Sequence, residues 1–392
     1  MWKQIEGSRA VAETVALCRP EVICAYPITP QTHIVEGLAD LVRGGELANC
    51  EFINVESEFA ALSVAIGASA AGARAYTATS SQGLLFMAEA VYNASGLGLP
   101  IVMTIGNRAI GAPINIWNDH SDSMSMRDGG WIQLYAETNQ EAADLHIQAF
   151  RLAEALSCPV MVCMDGFILT HAFERVDIPD QAAVDAFLPA FDPRQALDPA
   201  HPLSIGAMVG PEAFMEVRYL QHHKQLEALA LIPRLETEFA RVFGRNSGGL
   251  LRSYRTEGAE AIGSISICSY RPFPLAALRE AAHRAKRVIV IEKDLAVGVG
   301  GIVAMDVRKA MAGLEAPVYT VIAGLGGRSI TQDSLRTLFG RAAREELEAV
   351  TFLDLNWSVV RRQLDRENAA RRSGPAAESI LRDLGVTGGG AY

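Results

Sequence analysis

Several features that are missing from this sequence exclude whole classes of protein. The six cysteines are scattered and no two are spaced as C-x-x-C, so we expect no iron–sulfur cluster in this chain, because a cluster needs four thiolates at close spacing. The formal net charge is −10 and lysine and arginine form no cluster, which argues against a nucleic-acid surface. No stretch of about 18 uninterrupted apolar residues occurs, so we expect no membrane span.

Two further absences concern location and cofactor. Residues 1–6 lack the apolar core and cleavage site of an export signal, and scattered cysteines are typical of small buried side chains in a reducing compartment. Both predict a cytoplasmic protein. A full G-x-G-x-x-G is also missing, although glycine clusters at 298–301 and 324–327 follow predicted strands. Tight turns or subunit contacts explain them better than a dinucleotide site.

What is present is the alternation of an α/β protein. The 392 residues are 49% apolar and 20% charged, which is typical of a globular chain of two or three domains. Short β-rich runs alternate with helical segments rich in small residues, a pattern that predicts a doubly wound parallel sheet. The predicted strands are 21–26, 51–55, 74–77, 101–105 and 159–164, and the helices are 31–42, 58–71, 82–95 and 140–156.

Composition divides the chain into three parts. We predict a first domain over 1–171, then an acidic, proline-rich excursion or linker over 172–250 that ends in a long helix packing on the first domain. A smaller C-terminal α/β domain follows over 251–392. Its predicted strands are 264–268, 287–291, 318–322 and 350–355, with helices starting near Pro274, Ile302 and Thr331.

Polar residues follow three strands of the first domain at the points where those strands end. Thr29 lies between prolines after the first strand, Glu58 opens an alanine-rich helix after the second, and Arg108 follows the strand at 101–105. The carboxyl ends of parallel strands are where an open α/β sheet holds its ligands. The three residues are therefore the candidate site. The alanine-rich helix is expected to be buried, in part against another subunit.

A set of motifs in fixed order carries a resemblance to a known family. They are YPITP at 26–30, VESE at 55–58, TATSSQG at 77–83, GNR at 106–108, NDHSD at 118–122, GWIQ at 130–133, MDGF at 164–167, YRPFP at 270–274 and AGLGGR at 323–328. Together they resemble the α subunit of the 2-oxoacid:acceptor (pyruvate:ferredoxin) oxidoreductases. Within that family, overall similarity favours the NADH-dependent phenylglyoxylate dehydrogenases.

The resemblance implies roles for individual residues. The first domain would be the pyrimidine-binding domain of a thiamine diphosphate enzyme, and the second would be similar to a transketolase C-terminal domain. Glu58 would hydrogen-bond the aminopyrimidine ring nitrogen, while Thr29 and Arg108 would hold the substrate; a guanidinium fork suits a carboxylate. Further cofactor contacts would come from Pro27, Ser81 and Gln82.

Each of these residues has a simpler explanation. Glu58 could be a first-turn acid favoured by the helix dipole, Thr29 could cap the following helix, and Arg108 could form a surface ion pair. The run 119–122 contains metal-ligand types, but a solvated loop or hydrogen-bonded lid is favoured over a metal site.

The chain contains only half of a thiamine diphosphate site. No Gly-Asp-Gly, the usual start of the magnesium and diphosphate motif, occurs in it. The resemblance therefore implies a β subunit that supplies the diphosphate and Mg²⁺ site. It also implies a γ subunit, a ferredoxin-like iron–sulfur subunit and an NAD(H)-reacting flavoprotein subunit, so that iron–sulfur clusters and FAD would lie in partner chains.

The implied activity is the CoA-acylating oxidative decarboxylation of phenylglyoxylate to benzoyl-CoA and CO₂, with NAD as final acceptor. One alternative is a pyruvate:ferredoxin oxidoreductase α subunit that forms acetyl-CoA. Another is a non-catalytic interaction subunit. A self-sufficient thiamine enzyme is disfavoured, because the magnesium motif is missing.

One segment departs from the family pattern. A strand-turn-helix unit normally separates the counterparts of 254–258 and 264–268, and here only residues 259–263 join them. Either this protein has lost the unit or the sequence omits residues at this point. We favour omission, because loss of a parallel strand would leave its neighbour unpaired.

Overall fold

The structure, a computed structural model, describes residues 1–255, 262–369 and 376–386. Strands and helices alternate through most of these residues. The strands are β1 (Trp2–Glu6), β2 (Val22–Ala25), β3 (Glu51–Asn54), β4 (Ala75–Thr79), β5 (Val102–Asn107), β6 (Ile132–Tyr135), β7 (Val160–Asp165), β8 (Phe173–Asp177), β9 (Leu251–Arg255), β10 (Gly263–Ile267), β11 (Ser269–Arg271), β12 (Val288–Glu292), β13 (Val318–Ile322) and β14 (Val350–Phe352). The helices are α1 (Gly7–Leu17), α2 (Thr32–Arg43), α3 (Glu58–Ala70), α4 (Ser81–Phe86), α5 (Ala88–Leu97), α6 (Ser121–Ser125), α7 (Asn139–Leu156), α8 (Gln181–Phe187), α9 (Phe214–Phe243), α10 (Leu275–Ala282), α11 (Val303–Ala310), α12 (Gln332–Ala343), α13 (Trp357–Ala369) and α14 (Ala376–Asp383).

The largest sheet in the described part of the chain has seven strands, in the order β11-β6-β7-β5-β4-β2-β3. Its strands are parallel except β11, which runs antiparallel to β6 at one edge. After β3 the chain passes back over β2 to form β4, so the strand order reverses between β2 and β4. At such a switch point the carboxyl ends of the strands open a crevice for ligands.

Helices bury two apolar cores against this sheet. In one core Val15 of α1, Leu38 of α2 and Phe150 of α7 are fully buried. In the other, Leu62 of α3 and Leu84 of α4 are equally inaccessible. The arrangement confirms the predicted doubly wound α/β fold.

The structure corrects two predicted elements. The helix predicted over 82–95 is two helices, α4 and α5, because the backbone leaves helical geometry at Met87. The strand predicted over 264–268 does not join the second parallel sheet, since β10 pairs antiparallel with β9. Its alternating serines and isoleucines suit a hairpin with one solvated face.

One strand from the C-terminal part of the chain, β11, belongs to the seven-stranded sheet of the first domain. Among the described residues, the second parallel sheet contains β12, β13 and β14. β11, which precedes them, pairs instead with β6, a strand absent from the sequence prediction. Most of the junction at 259–263 lies outside the described residues, so the omission remains a prediction.

The long helix α9 has two different halves. Ala228, Ile232, Leu235 and Phe239 in its C-terminal half are buried in the first core, whereas the turns near Phe214 are exposed. No helix in the described ranges is both long enough and apolar enough to span a bilayer.

A buried arginine connects several elements at the amino ends of the strands. Arg74, just before β4, is 6% exposed and donates from Nε to Glu154 Oε1 of α7 at 2.6 Å. It also donates to the carbonyl oxygens of Cys18 at 2.6 Å and Pro189 at 2.9 Å. A buried guanidinium with this many acceptors is costly to remove, because its partners are left unsatisfied.

We therefore expect Arg74→Met to lower the free energy of unfolding by about 3 kcal/mol or more. The matched control is Arg43→Met, whose ion pair with Asp40 is exposed and should contribute less than about 1 kcal/mol. Urea unfolding of the full chain measures both. Equal losses in the two variants would contradict this view of Arg74.

Candidate functional site

The three predicted site residues lie at one edge of the large sheet. Thr29 lies in the loop between β2 and α2, Glu58 begins α3 after β3, and Arg108 directly follows β5. The loop carrying Thr29 is exposed, whereas Glu58 and Arg108 are 7% and 6% exposed. The site therefore combines a buried acid and a buried cation beneath an accessible loop.

Glu58 is held in place by its own helix and by α4. Ser57 caps α3, its Oγ accepting from Ala60 N at 3.2 Å. A Cβ added to Gly83 would lie 2.6 Å from Glu58 Oε1 and 2.5 Å from Thr79 Oγ1, so only glycine leaves room for the carboxylate. Within the described residues, no group donates a hydrogen bond to this carboxylate or forms an ion pair with it. A buried carboxylate without a partner is available to a ligand.

Arg108 is a buried cation whose partners are neutral. Its Nε donates to Asn115 O at 3.1 Å and its NH1 donates to Thr29 O at 2.8 Å. No carboxylate in the described part of the chain forms an ion pair with it. Burial lowers the pKa of Arg108, while the nearby charge of Asp122 opposes that change. A desolvated guanidinium that meets only carbonyl groups is suited to bind an anion.

Asp122, at the start of α6, joins the strand ends around this cation. Its Oδ2 accepts from Ser81 N at 2.9 Å and from Arg108 N at 3.0 Å. Its Oδ1 accepts from Asn107 Nδ2 and Ser123 N, each at 2.8 Å. Burial raises the pKa of Asp122 to about 6, although these four hydrogen bonds oppose the increase. One carboxylate thus ties together the backbone after β4 and after β5, two adjacent strands on one side of the crevice.

The remaining predicted cofactor residues lie in different surroundings. Ser81 is fully buried, and its hydroxyl donates to Ala109 O at 2.6 Å and is also bonded to Gln82. Because that hydroxyl is already paired within the chain, Ser81 is placed to position the loop. Gln82 is partly exposed at the crevice, and its Nε2 lies close to Gly111. Pro27 is exposed and lines a groove between α2 and β3.

A second polar network joins this edge to the C-terminal domain. Asp165, at the end of β7, accepts from Lys293 Nζ at 2.5 Å and contacts His120 Nε2 at 2.9 Å. Burial alone would raise the pKa of Asp165, but His120 and Lys293 hold it well below its ordinary value. Asp119 accepts from Gly326 N at 3.0 Å. Residues 119–122 therefore serve in hydrogen bonds between loops and domains, and none of them belongs to a three-residue metal-ligand set within the described ranges.

Sequence reasoning missed Asp122 and Gly83 as site residues. Both lie inside motifs that were recognised, NDHSD and TATSSQG. The signal for Gly83 was its place one turn into a helix after a strand, where a missing side chain indicates close packing. Nothing local indicates that Asp122 bonds two separate strand ends, because that contact depends on the fold.

The fold and the site together define a class: an α/β domain with a buried acid and a buried cation at the carboxyl ends of its parallel strands, near a switch point of the sheet. Sequence comparison gives the family. The profile described as pyruvate flavodoxin/ferredoxin oxidoreductase, thiamine diphosphate-binding, matches residues 13–235, and the profile of pyruvate:ferredoxin oxidoreductase core domain II matches residues 245–335.

Individual relatives agree with these profiles. Pyruvate synthase subunit PorA from Methanosarcina barkeri is 42% identical, over 90% of this chain and 96% of its own length. The subunit of the same name from Pyrococcus abyssi is 42% identical over 92% of this chain and 98% of its own. Ketoisovalerate oxidoreductase subunit VorA from Pyrococcus abyssi is 36% identical over 86% of this chain and 92% of its own length. The chain belongs to the pyruvate flavodoxin/ferredoxin oxidoreductase family, as an α subunit that carries its thiamine diphosphate-binding domain.

A solved structure gives the same fold. The 2-oxoglutarate:ferredoxin oxidoreductase from Magnetococcus marinus, determined with 2-oxoglutarate, coenzyme A and succinyl-CoA bound, matches with a TM-score of 0.66 at 18% identity. The match covers 88% of this chain and 65% of that chain. At 18% identity this match supports the fold alone.

The residues present fit the pyrimidine half of thiamine diphosphate. An aminopyrimidine offers an amine donor and ring nitrogens that accept hydrogen bonds. Besides the unpaired carboxylate of Glu58, four buried atoms at this edge lack hydrogen-bond partners within the described residues: Thr79 Oγ1, Ser80 Oγ, Gln31 Oε1 and Asn107 Oδ1. Unsatisfied buried polar atoms are rare, and a bound polar ring can supply their missing partners.

Gly83→Ala tests the contact between α4 and Glu58. The added methyl group would displace the flexible end of Glu58, so we expect turnover of the assembled enzyme to fall about a hundredfold while folding is retained. The control is Gly96→Ala, since a Cβ at Gly96 meets nothing within 4 Å. Steady-state turnover and circular dichroism measure the two effects. Unchanged turnover in Gly83→Ala would contradict the placement of Glu58.

Asp122→Asn tests the carboxylate that joins the strand ends. The amide group must face two N–H donors, so we expect a loss of about 1–3 kcal/mol in stability and weaker substrate binding through Arg108. Asp128→Asn, at a side chain 68% exposed, is the matched control and should change neither quantity.

The difference in stability between the wild type and Asp122→Asn should depend on pH. Because the folded-state pKa of Asp122 is raised to about 6, its contribution to stability is greatest at low pH and is lost as the pH rises through 6. The variant does not titrate at this position. The stability advantage of the wild type should therefore shrink between pH 5 and pH 7.5 in urea unfolding. An advantage that grows over this range would contradict the burial of Asp122.

Proposed function

We propose that this chain is the α subunit of a multi-subunit, CoA-acylating 2-oxoacid oxidoreductase that converts pyruvate to acetyl-CoA and CO₂, with ferredoxin as electron acceptor. The relatives named for pyruvate synthase support pyruvate, at 42% identity against 36% for the one named for ketoisovalerate. None of the relatives described above is named for phenylglyoxylate or for NAD, so the assignment drawn from overall similarity has no support from them.

The observation that carries the proposal is the buried guanidinium of Arg108. It has two carbonyl partners and no carboxylate partner among the described residues, so a substrate carboxylate would supply the charge that this cation lacks. The Thr29 hydroxyl, on the exposed loop whose carbonyl Arg108 holds, can donate to a second substrate oxygen. A 2-oxo acid carries a carboxylate for Arg108 and a carbonyl oxygen for Thr29 on adjacent carbons.

Glu58 is proposed to face the cofactor rather than the substrate. Its carboxyl group, which packs against Gly83, would hydrogen-bond the aminopyrimidine ring and fix its orientation. Bound thiamine diphosphate supplies the carbon nucleophile that attacks a 2-oxo carbonyl. In this proposal Arg108 orients the carbonyl and Asp122 keeps Arg108 in place, which are positioning effects of the kind that make bound reactants reactive.

Partner chains would complete the site. The face of α3 that carries Phe59 and Ser63 is exposed, and Phe86 of α4 beside it is 60% exposed. An apolar surface that borders Glu58 suits a β subunit contributing the diphosphate and Mg²⁺ site. A γ subunit and an iron–sulfur subunit would carry the electrons away. An NAD(H)-reacting flavoprotein subunit belongs with the NAD-linked alternative.

The substrate is tested with the purified complex and coenzyme A. Pyruvate, 2-oxoisovalerate and phenylglyoxylate are compared, with a viologen dye and NAD as acceptors. We expect kcat/KM for pyruvate to exceed that for the larger acids by about tenfold or more, with dye reduction and no NADH. Preferred turnover of phenylglyoxylate with NADH formation would contradict the proposal.

Arg108→Lys tests the binding mode separately from substrate choice. A lysine lacks the planar fork, so we expect kcat/KM to fall about thirtyfold or more for every 2-oxo acid, mainly through KM, with unchanged affinity for thiamine diphosphate. Arg43→Lys, at an exposed site, is the control. Normal KM in Arg108→Lys would remove Arg108 from the substrate site. Normal turnover in Glu58→Ala would favour a non-catalytic interaction subunit.

A further inference from the structure

A second group of ligand-type side chains lies outside the thiamine diphosphate site. Glu6 ends β1, His33 lies in the first turn of α2, and His171 follows the turn after β7. Each offers one ligand atom, and the three atoms lie within 4.8 Å of one another. Across the described ranges, no other three histidine, cysteine, aspartate or glutamate side chains meet in this way.

The side chains in this cluster are already oriented toward one another. His33 Nδ1 lies 2.7 Å from Glu6 Oε1. His171 Nδ1 lies 2.8 Å from Thr170 Oγ1, which leaves Nε2 as the atom that can bind a ligand. A hydrogen bond to the second ring nitrogen is the usual outer support of a metal-binding histidine, because it fixes the tautomer and the ring orientation.

We propose that Glu6, His33 and His171 bind one divalent transition-metal cation, with Zn²⁺ as its representative. Two imidazoles and a carboxylate form a known zinc ligand set that leaves the fourth position to water. Ligand atoms around tetrahedral zinc lie roughly 3.3 Å apart, so the longest separation in the cluster must shorten around the ion and the 2.7 Å contact between His33 Nδ1 and Glu6 Oε1 must lengthen. The His33 side chain is 47% exposed, which leaves its ring room to move toward the ion.

A bound cation would join three segments that are distant in sequence. These are the residue before α1, the first turn of α2 and the turn after β7. Backbone hydrogen bonds from Gly7 N to Ala172 O and from Ser8 N to Thr170 O already link the first segment to the third. The cation would add α2, whose first turn follows the loop of Thr29. Because binding favours the folded state, stability rises with metal concentration.

The same contacts can exist without a metal. The Glu6–His33 pair is partly exposed, and the His171 ring lies between the rings of His33 and Phe167, with centroid distances of 4.8 and 4.7 Å. A metal-free stack of this kind would bind no cation. The experiment must therefore measure the metal itself.

The test uses the full chain, free of any affinity tag and stripped with a chelator. Zn²⁺ stoichiometry is measured by equilibrium dialysis with elemental analysis, and Co²⁺ is added as a spectroscopic probe. We expect one tight Zn²⁺ per chain, visible Co²⁺ absorption bands of a four-coordinate site, and a higher melting temperature with Zn²⁺. His33→Gln and His171→Gln should each weaken binding about tenfold or more. His283→Gln, an exposed histidine elsewhere, should bind as the wild type does.

Two results would overturn the proposal. One is the absence of stoichiometric Zn²⁺ and of four-coordinate Co²⁺ bands in a folded wild-type chain. The other is binding that persists in His33→Gln and disappears when the exposed His201, His222 and His223 are replaced. His33→Gln decides the matter even if His171→Gln fails to fold, because the His33 side chain is about half exposed. Activity is not the readout, so this test is independent of the proposed function.

Discussion

The site depends on one buried carboxylate that accepts four hydrogen bonds. Asp122 receives two of them from the backbone after β4 and β5, at Ser81 and Arg108, so it joins the ends of two adjacent strands. Without that acceptor both N–H groups would be buried and unpaired, which costs more than a typical hydrogen bond gains. The carboxylate therefore holds the backbone segments after β4 and after β5 in a fixed relative position. It positions the start of α4, which carries Gly83 against Glu58, and the backbone from which the Arg108 side chain extends.

The two buried charged side chains at this site, Glu58 and Arg108, each lack a partner of the kind that would satisfy them. Glu58 is a buried acid with no donor and Arg108 a buried cation with no carboxylate, within the residues that the structure describes. A protein tolerates such groups when a ligand supplies the missing partner, since their desolvation is otherwise uncompensated. The strand order explains why both occur here. Only at the reversal between β2 and β4 do helices leave the sheet in opposite directions and open a space between loops.

The sequence alone predicts most strands of the large sheet and three residues of the site, but it does not predict the contacts that depend on the assembled fold. Strand runs with β-branched and apolar residues marked β2 to β5 and β7, and the polar residues at their ends indicated Thr29, Glu58 and Arg108. β6 and β11 escaped prediction; β11 has three residues and gains its stability from pairing with β6, a strand far away in the chain. Asp122 escaped for the same reason, because its four partners come from three separate segments. The alternating serines and isoleucines of β10 did indicate an antiparallel strand with one solvated face. The sequence prediction instead grouped this strand with the parallel strands of the second domain.

This chain is proposed to hold the pyrimidine half of a thiamine diphosphate site. The most direct measurement is a structure of the assembled complex with thiamine diphosphate and a non-reacting pyruvate analogue. The account predicts the Glu58 carboxyl group within about 3 Å of a pyrimidine ring nitrogen, and the Arg108 guanidinium bonded to the analogue's carboxylate. A cofactor ring bound away from the carboxyl ends of β2 to β5, or a Glu58 side chain facing solvent, would contradict it.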